Sequence, residues 1–439
     1  MVYNCLLSGA DTGFAMKTFS GRRAYLFIEP IKEYSFSGDV APDKSITHRA
    51  IMLSSVAAGT STIENPLVCD ETLRTIRCMR ALGATIDEIS GGLKITGTDK
   101  PKSASLHVGD SGTTARLLCG LLAGAEGTFE IDGSASVRMK PLKRIVEPLE
   151  KMGARITLSD GNRLPVHIEG RKLGSVSYDM PVPSGQVKSS VILAGLNAKG
   201  VTTVRESVPT RDHTERLAEA MGCKIWAESG RVSVTKSTLN PIDLFVPADV
   251  SVAAYPFVLA AVRGKATVEK TGINPTRRGI LNVLSACGAA VNIENRHSAA
   301  EPYADVTVSR GGALVPFSVG REQIPTLIDE IPVLAVLACF INGESEIGGA
   351  AELTAREDNR IGATVAALKA MGADVEQTDG GMKIRGNGSL EGGAKIDPRG
   401  DYRVAMAMAV AGALSRKGAQ IEGVDCITDY YPDFFKTIL

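Results

Sequence analysis

The chain offers no charge imbalance to a polyanion: 49 Lys and Arg stand against 49 Asp and Glu, for a formal net charge of zero. That excludes the global positive field that draws nucleic acid or an acidic membrane, so any basic site must be a local cluster. Cysteine pairing is missing as well. The eight cysteines, at 5, 69, 78, 119, 223, 287, 339 and 426, form no CxxC pair, and several sit in apolar helical patterns such as Leu117-Leu118-Cys119. Reduced, buried thiols in a cytoplasmic protein are expected, rather than disulfides or a zinc site. Gly or Pro interrupts each apolar run well before membrane-spanning length. The first residues, about 20 of them, lack the long apolar core of a secretory signal. Met16-Lys17 offers an alternative start, and a short leading extension is the expectation. Neither a metal-ligand cluster nor a Ser-His-Asp arrangement occurs, and of five His only His48 and His213 fall in the segments singled out below.

What is present is length and glycine. With 439 residues, 44% of them hydrophobic and 22% charged, the chain describes a globular protein too large for one core, and two domains are expected. Two marks then alternate along it. A strand led by Gly and closing on Ile or Val recurs in six copies: Gly59 to Ile63, Gly127 to Ile131, Gly200 to Val204, Gly264 to Val268, Gly343 to Ile347 and Gly418 to Ile421. A helix stopped by Gly and followed at once by a strand recurs in five, at Gly83, Gly153, Gly222, Gly288 and Gly372. Glycine suits that stop because a helix C-terminus often needs φ > 0. Each unit reads as apolar helix, Gly-led strand, second helix, Gly stop and hairpin, with a period of about 70 residues.

The missing sixth stop tells how the ends are used. After Asp425 the chain closes without a hairpin, while Tyr25 to Ile28 and Tyr34 to Ser37 supply unpaired strand material at the start. Pairing the two termini completes the sixth unit. The fold class expected is α/β, with one lobe over 43–247 and a second over 1–42 plus 248–439, three units in each. Ligands favour domain interfaces, so the cleft between the lobes is the place to look.

Candidate residues fall at matching places in both halves. Pro42-Asp43-Lys44-Ser45 opens a helix read as Ile46 to Ala58, which sets cations and a hydroxyl where free N–H groups favour an anion. Gly109-Asp110-Ser111-Gly112-Thr113 runs into the helix Leu117 to Leu122, Arg138-Met139-Lys140-Pro141 follows a strand, and Ser184-Gly185-Gln186 precedes another apolar helix. Arg211-Asp212-His213 begins a fourth helix. In the second half Asp329-Glu330 fronts the helix Val333 to Phe340, Arg356-Glu357-Asp358-Asn359-Arg360 opens a helix, and Asp401-Tyr402-Arg403 precedes Val404 to Ala413. Each segment, taken alone, equally describes a capped helix with solvated charges. Together they combine guanidinium groups suited to carboxylate or phosphate with carboxylates held ionised by helix dipoles, the properties of an anion site with a base.

In order and spacing, these motifs resemble those of the 5-enolpyruvylshikimate-3-phosphate synthases, from about residue 33 to the closing Pro432-Asp433-Phe434. The resemblance implies a two-lobed inside-out α/β barrel of six repeated units, no metal or organic cofactor, and a monomer with small-molecule substrates and neither nucleic acid nor membrane as partner. It implies that Lys44, Ser45, Arg49, Ser184, Gly185, Gln186, Arg211, Asp329 and Arg356 hold shikimate 3-phosphate. Lys44, Gly112, Arg138, Gln186, Arg360 and Arg403 would hold phosphoenolpyruvate. Asp329 would take the proton of the substrate 5-hydroxyl, and Glu357, with Lys44, would protonate C3.

The chain departs from the family pattern in places. Arg356 replaces a usual Lys, Ala41-Pro42 a Pro-Gly, Asp110 an Asn, Tyr402 a His, Thr354-Ala355 an Arg-Val and Asp429 a Lys. Gly185 and Arg211 resemble the second sequence class of the family. Other readings stay open at this point: the related UDP-N-acetylglucosamine enolpyruvyl transferase, which would carry Lys-Asn for Lys44-Ser45 and a reactive loop Cys, a paralogue for a modified shikimate, or a non-catalytic binding protein.

Overall fold

A computed structural model describes residues 25–159, 161–228, 230–351 and 359–439. It is a mixed α/β fold in which strands gather into six small sheets. Each Gly-led strand lies inside its sheet, with a parallel partner on one side and an antiparallel partner on the other; the antiparallel partner belongs to a following hairpin in all but Ala419–Glu422, and the parallel partner precedes it in all but Thr60–Glu64. Thr60–Glu64 pairs with Gly92–Thr96, Gly127–Asp132 with Arg163–Gly170 and Gly343–Ile347 with Gly381–Gly386 in this way. All five glycine stops have positive φ, between 81° at Gly222 and 111° at Gly83. A side chain is strained in that region, which is why the mark repeats.

The crossings between units show how the ends are used. Tyr25–Ile28 runs antiparallel to Ala419–Glu422, and Tyr34–Gly38 runs parallel to Gly264–Gly272. Asp243–Phe245 returns to pair with Thr60–Glu64, closing the first half on itself. Buried apolar residues accordingly form two clusters, one drawn from Ile46 to Val246 and the other from Leu26 to Ala41, Leu67, Cys69 and Ala248 to Ile438.

Helices that are apolar all round must be enclosed. Val250–Arg263, Ile331–Cys339 and Tyr402–Leu414 are buried over nearly their whole length, as are Lys44–Ser54, Gly112–Ala123 and Gly185–Gly195 in the other cluster. Close packing needs small residues at the contacts: a Cβ on Gly120 would stand 2.0 Å from the Ser190 carbonyl oxygen. The described cysteines are all free, and six of the seven are buried. Among the described residues no helix is long and apolar enough to cross a membrane.

Candidate active site

The N-termini of the enclosed helices carry the candidate residues. Asp43 caps Lys44–Ser54, accepting from the Ile46 N–H at 2.9 Å, so that helix begins two residues earlier than Ile46 and holds Lys44 and Ser45 in its first turn. Ser111 caps Gly112–Ala123, Ser184 caps Gly185–Gly195 and Asp401 caps Tyr402–Leu414. Free N–H groups and positive helix ends are thus directed from both clusters.

In the first cluster Arg49 and Arg116 donate to neutral oxygens. Arg49 is buried and donates to Thr214 Oγ1 at 2.8 Å, Ser189 Oγ at 2.9 Å and the Ser45 carbonyl at 3.0 Å. Burial pushes its guanidinium down to about 10. Gln186 accepts from Arg116 at 2.8 Å and donates to Thr113 at 3.2 Å, which bridges the Gly112 and Gly185 helix starts. Lys188, one residue beyond Val187, takes no part: it is buried against Glu206 and Glu215, both at 2.8 Å.

Asp329 is the meeting point of the second cluster. Its carboxylate faces Arg403 at 3.2 Å, Arg360 at 3.4 Å and Arg277 at 3.9 Å, and it accepts a hydrogen bond from Arg211 of the other cluster. Burial alone would raise this carboxyl, but Arg403, Arg211, Arg360 and Arg277 outweigh it and hold it well below the usual carboxylate range. Arg360 is bound again by Asp401 at 2.7 Å. Glu330, next in sequence, has the opposite balance: burial dominates and pushes its carboxyl up.

Lys44 reaches across from the first cluster. Its ammonium donates to Glu71 at 2.7 Å and lies 3.4 Å from the Tyr402 hydroxyl, on the far cluster. Burial disfavours the ammonium, yet Tyr402 and Glu71 together hold it above its ordinary range.

Arg138 is set apart from the other candidate residues. Arg138 ends the short Ala135–Arg138 helix, half-exposed and turned onto Asp132, to which its Nε donates at 2.8 Å. Lys140, two residues on, lies beside the anion-favouring turn instead, with its Cδ 3.7 Å from where a Gly112 Cβ would stand. Glu357 and Arg356, with Thr354 and Ala355, lie outside the described residues. Asp110 accepts from the Ser134 and Ser136 hydroxyls, which with burial opposing hold its carboxyl low, and Asp429 is exposed.

Sequence reasoning missed the partners at the crossing point. Pro42 and Ala248 form an antiparallel bridge, and there Arg277 donates to Asp249 at 3.1 Å and Ser251 at 2.7 Å and stands 3.7 Å from Asp43. The signal was Asp in the same place twice, in Pro42-Asp43 and Ala248-Asp249, each capping an enclosed helix. Nothing comparable marks Glu71.

A model of the family EPSP synthase (3-phosphoshikimate 1-carboxyvinyltransferase) matches residues 30–438. The chain belongs to the EPSP synthase family. It is 40% identical over 403 residues to the 3-phosphoshikimate 1-carboxyvinyltransferase of Bacillus subtilis (strain 168), covering 90% of this chain and 94% of the relative. Its identity to the enzyme of the same name from Synechococcus sp. (strain WH7803) is 42% over 411 residues, covering 90% and 93%. Among solved structures, EPSP synthase from Acinetobacter baumannii superposes with a TM-score of 0.85 at 34% identity, over 95% of this chain and 97% of that one. EPSP synthase membership also settles the choice left open between this family and the UDP-N-acetylglucosamine transferases.

Proposed function

We propose that this chain transfers the enolpyruvyl group of phosphoenolpyruvate to the 5-hydroxyl of shikimate 3-phosphate and releases phosphate, in the shikimate pathway to aromatic amino acids. The observation that carries the reading is the set of arginines from both clusters around Asp329, with Lys44 alongside, in a chain of zero net charge. Bringing two anions together is the physical task, and positioned cations perform it.

Ser45, Arg49, Ser184, Gly185, Gln186 and Arg211 are assigned to shikimate 3-phosphate, together with Asp329 and, outside the described residues, Arg356. Lys44, the Gly112 N–H, Gln186, Arg360 and Arg403 are assigned to phosphoenolpyruvate, with Lys140 in the place first given to Arg138. Asp329 accepts the proton of the 5-hydroxyl as its oxygen attacks C2. Protonation of C3 by Glu357 with Lys44 completes a tetrahedral adduct. Loss of a C3 proton and departure of phosphate from C2 then restore the double bond. While four arginines surround Asp329 it is a weak base. Anionic substrate groups arriving on Arg360 and Arg403 share those cations and raise its basicity when it is needed.

The same reading takes the fold as a two-lobed inside-out α/β barrel, with lobes at 43–247 and at 1–42 plus 248–439 and the site in the cleft between them. Two separate apolar clusters and six small sheets support it. It takes the protein as a cytoplasmic monomer, in keeping with free, mostly buried thiols. Phosphate release from purified protein mixed with phosphoenolpyruvate, with and without shikimate 3-phosphate, tests the activity. Release that requires both substrates is expected, and its absence alongside retained shikimate 3-phosphate binding would reject the transfer reading.

A further inference from the structure

Two tyrosine rings each lie against two cations of the candidate site. Tyr402 and Tyr430 pack with centroids 4.6 Å apart and planes inclined at 40°. The Lys44 ammonium lies 5.2 Å from the Tyr402 centroid and 4.7 Å from that of Tyr430. On the same two rings, the Arg403 guanidinium carbon lies at 5.2 Å and 5.9 Å. Tyr430 is buried and anchored, its hydroxyl donating to Asp249 at 3.0 Å, while Tyr402 is partly buried at the start of its helix.

The chemistry of that arrangement differs from an ion pair. Two cations this close repel, and a carboxylate set between them would relieve the repulsion by cancelling the charge a ligand needs. An aromatic face attracts a cation through its quadrupole and carries no net charge. Rings shared by Lys44 and Arg403 therefore hold both in place without cancelling their charge. Lys44 does have one carboxylate, Glu71, on its other side. Arg403 has Asp329, which the transfer reading needs for proton abstraction.

We infer that Tyr402 and Tyr430 are positioning residues that hold Lys44 of the first cluster and Arg403 of the second as a paired cation site for the anionic groups of phosphoenolpyruvate. The inference rests on the enolpyruvyl-transfer reading for the identity of the anion.

Tyr402→Leu and Tyr402→Phe separate the ring from the hydroxyl, and Tyr402→Met is a second non-aromatic variant should leucine prevent folding. Expected for the non-aromatic variants is a rise in KM for phosphoenolpyruvate of about tenfold or more, with KM for shikimate 3-phosphate changed less than about twofold. Tyr402→Phe keeps the rings and loses only the 3.4 Å hydroxyl contact to Lys44, so a loss of about threefold is expected. A non-aromatic variant within twofold of wild type for phosphoenolpyruvate, equal rises in both KM values, or equal damage from Phe and Leu would each overturn the inference. If wild type itself releases no phosphate, the transfer reading fails separately. Calorimetric titration of the same proteins with phosphoenolpyruvate then reads the same ratios.

Discussion

Arg49 in the first half of the site is held differently from the arginines of the second, with Arg211 of the first half reaching the second half's Asp329. Arg49, in the first, is bonded entirely to neutral oxygens of Thr214, Ser189 and Ser45. Arg360, Arg403 and Arg277, in the second, each face a carboxylate. Neutral partners fix a guanidinium without spending its charge, so the first half keeps a cation ready for a ligand. The second half is internally compensated through Asp329 and becomes a strong anion site only as that carboxylate yields its partners. On the proposed substrate assignment, one half is preformed and the other is released by occupancy.

Asp329→Asn is the most severe way to break that contrast. Turnover should fall by about a thousandfold or more, within the range for a lost general base, while shikimate 3-phosphate binding is kept. With the carboxylate charge gone, phosphoenolpyruvate should bind more tightly, which a calorimetric titration measures directly. Retained turnover would remove Asp329 from the mechanism. Arg49→Gln addresses the preformed half. Shikimate 3-phosphate affinity should weaken about 30-fold, corresponding to roughly 2 kcal/mol for hydrogen bonds to a charged group. Equal weakening of phosphoenolpyruvate would mean that the halves do not divide the substrates.

Lys140→Met and Arg138→Gln sharpen the picture near Gly112. The lysine change should raise KM for phosphoenolpyruvate about tenfold, and the arginine change less than about twofold, because an exposed ion pair such as Arg138 with Asp132 contributes little. The reverse order would restore Arg138 to the site. The smallest effect concerns His48, buried in the first half with Nδ1 2.7 Å from Thr75 Oγ1 and Nε2 without a partner among the described residues. Burial depresses this imidazole to about 3, so it stays neutral in the folded chain when it would be charged in the unfolded one. Its stabilising contribution is complete above the unfolded value of about 6.5 and declines as pH falls, by up to about 1.4 kcal/mol per pH unit. Urea unfolding at pH 7 and pH 5 should show a smaller acid loss in His48→Gln than in wild type. An identical loss would assign the acid sensitivity to carboxylates such as Asp249 and Asp401.

The repeat was legible because it is written in backbone conformation. A glycine forced to positive φ after a helix leaves a mark at one position, as at Gly83 and Gly372, and five marks in register locate the units. Helix N-termini were legible for a similar reason, since Asp43, Ser111, Ser184 and Asp401 cap within a few residues of themselves. Glu71 and Arg277 were not, because their site contacts, to Lys44 and Asp249, bridge separate segments without a local pattern. The contrast between Arg138, turned onto Asp132, and Lys140, beside Gly112, was not legible either, because both stand at the end of a one-turn helix without a periodic pattern.

The pairing of Tyr25–Ile28 with Ala419–Glu422 has a consequence during synthesis. At a ribosomal rate of about 5–20 residues per second, that first strand waits roughly 20 to 80 s for its partner to emerge. Tyr34–Gly38 is served sooner, by Gly264–Gly272, but the half that contains the opening strand cannot finish before Ala419–Glu422 has been made. The half spanning Ile46 to Val246 has every partner it needs well before then. The nascent chain thus carries one completed body while an exposed strand edge, the kind that invites mispairing, remains open at its beginning.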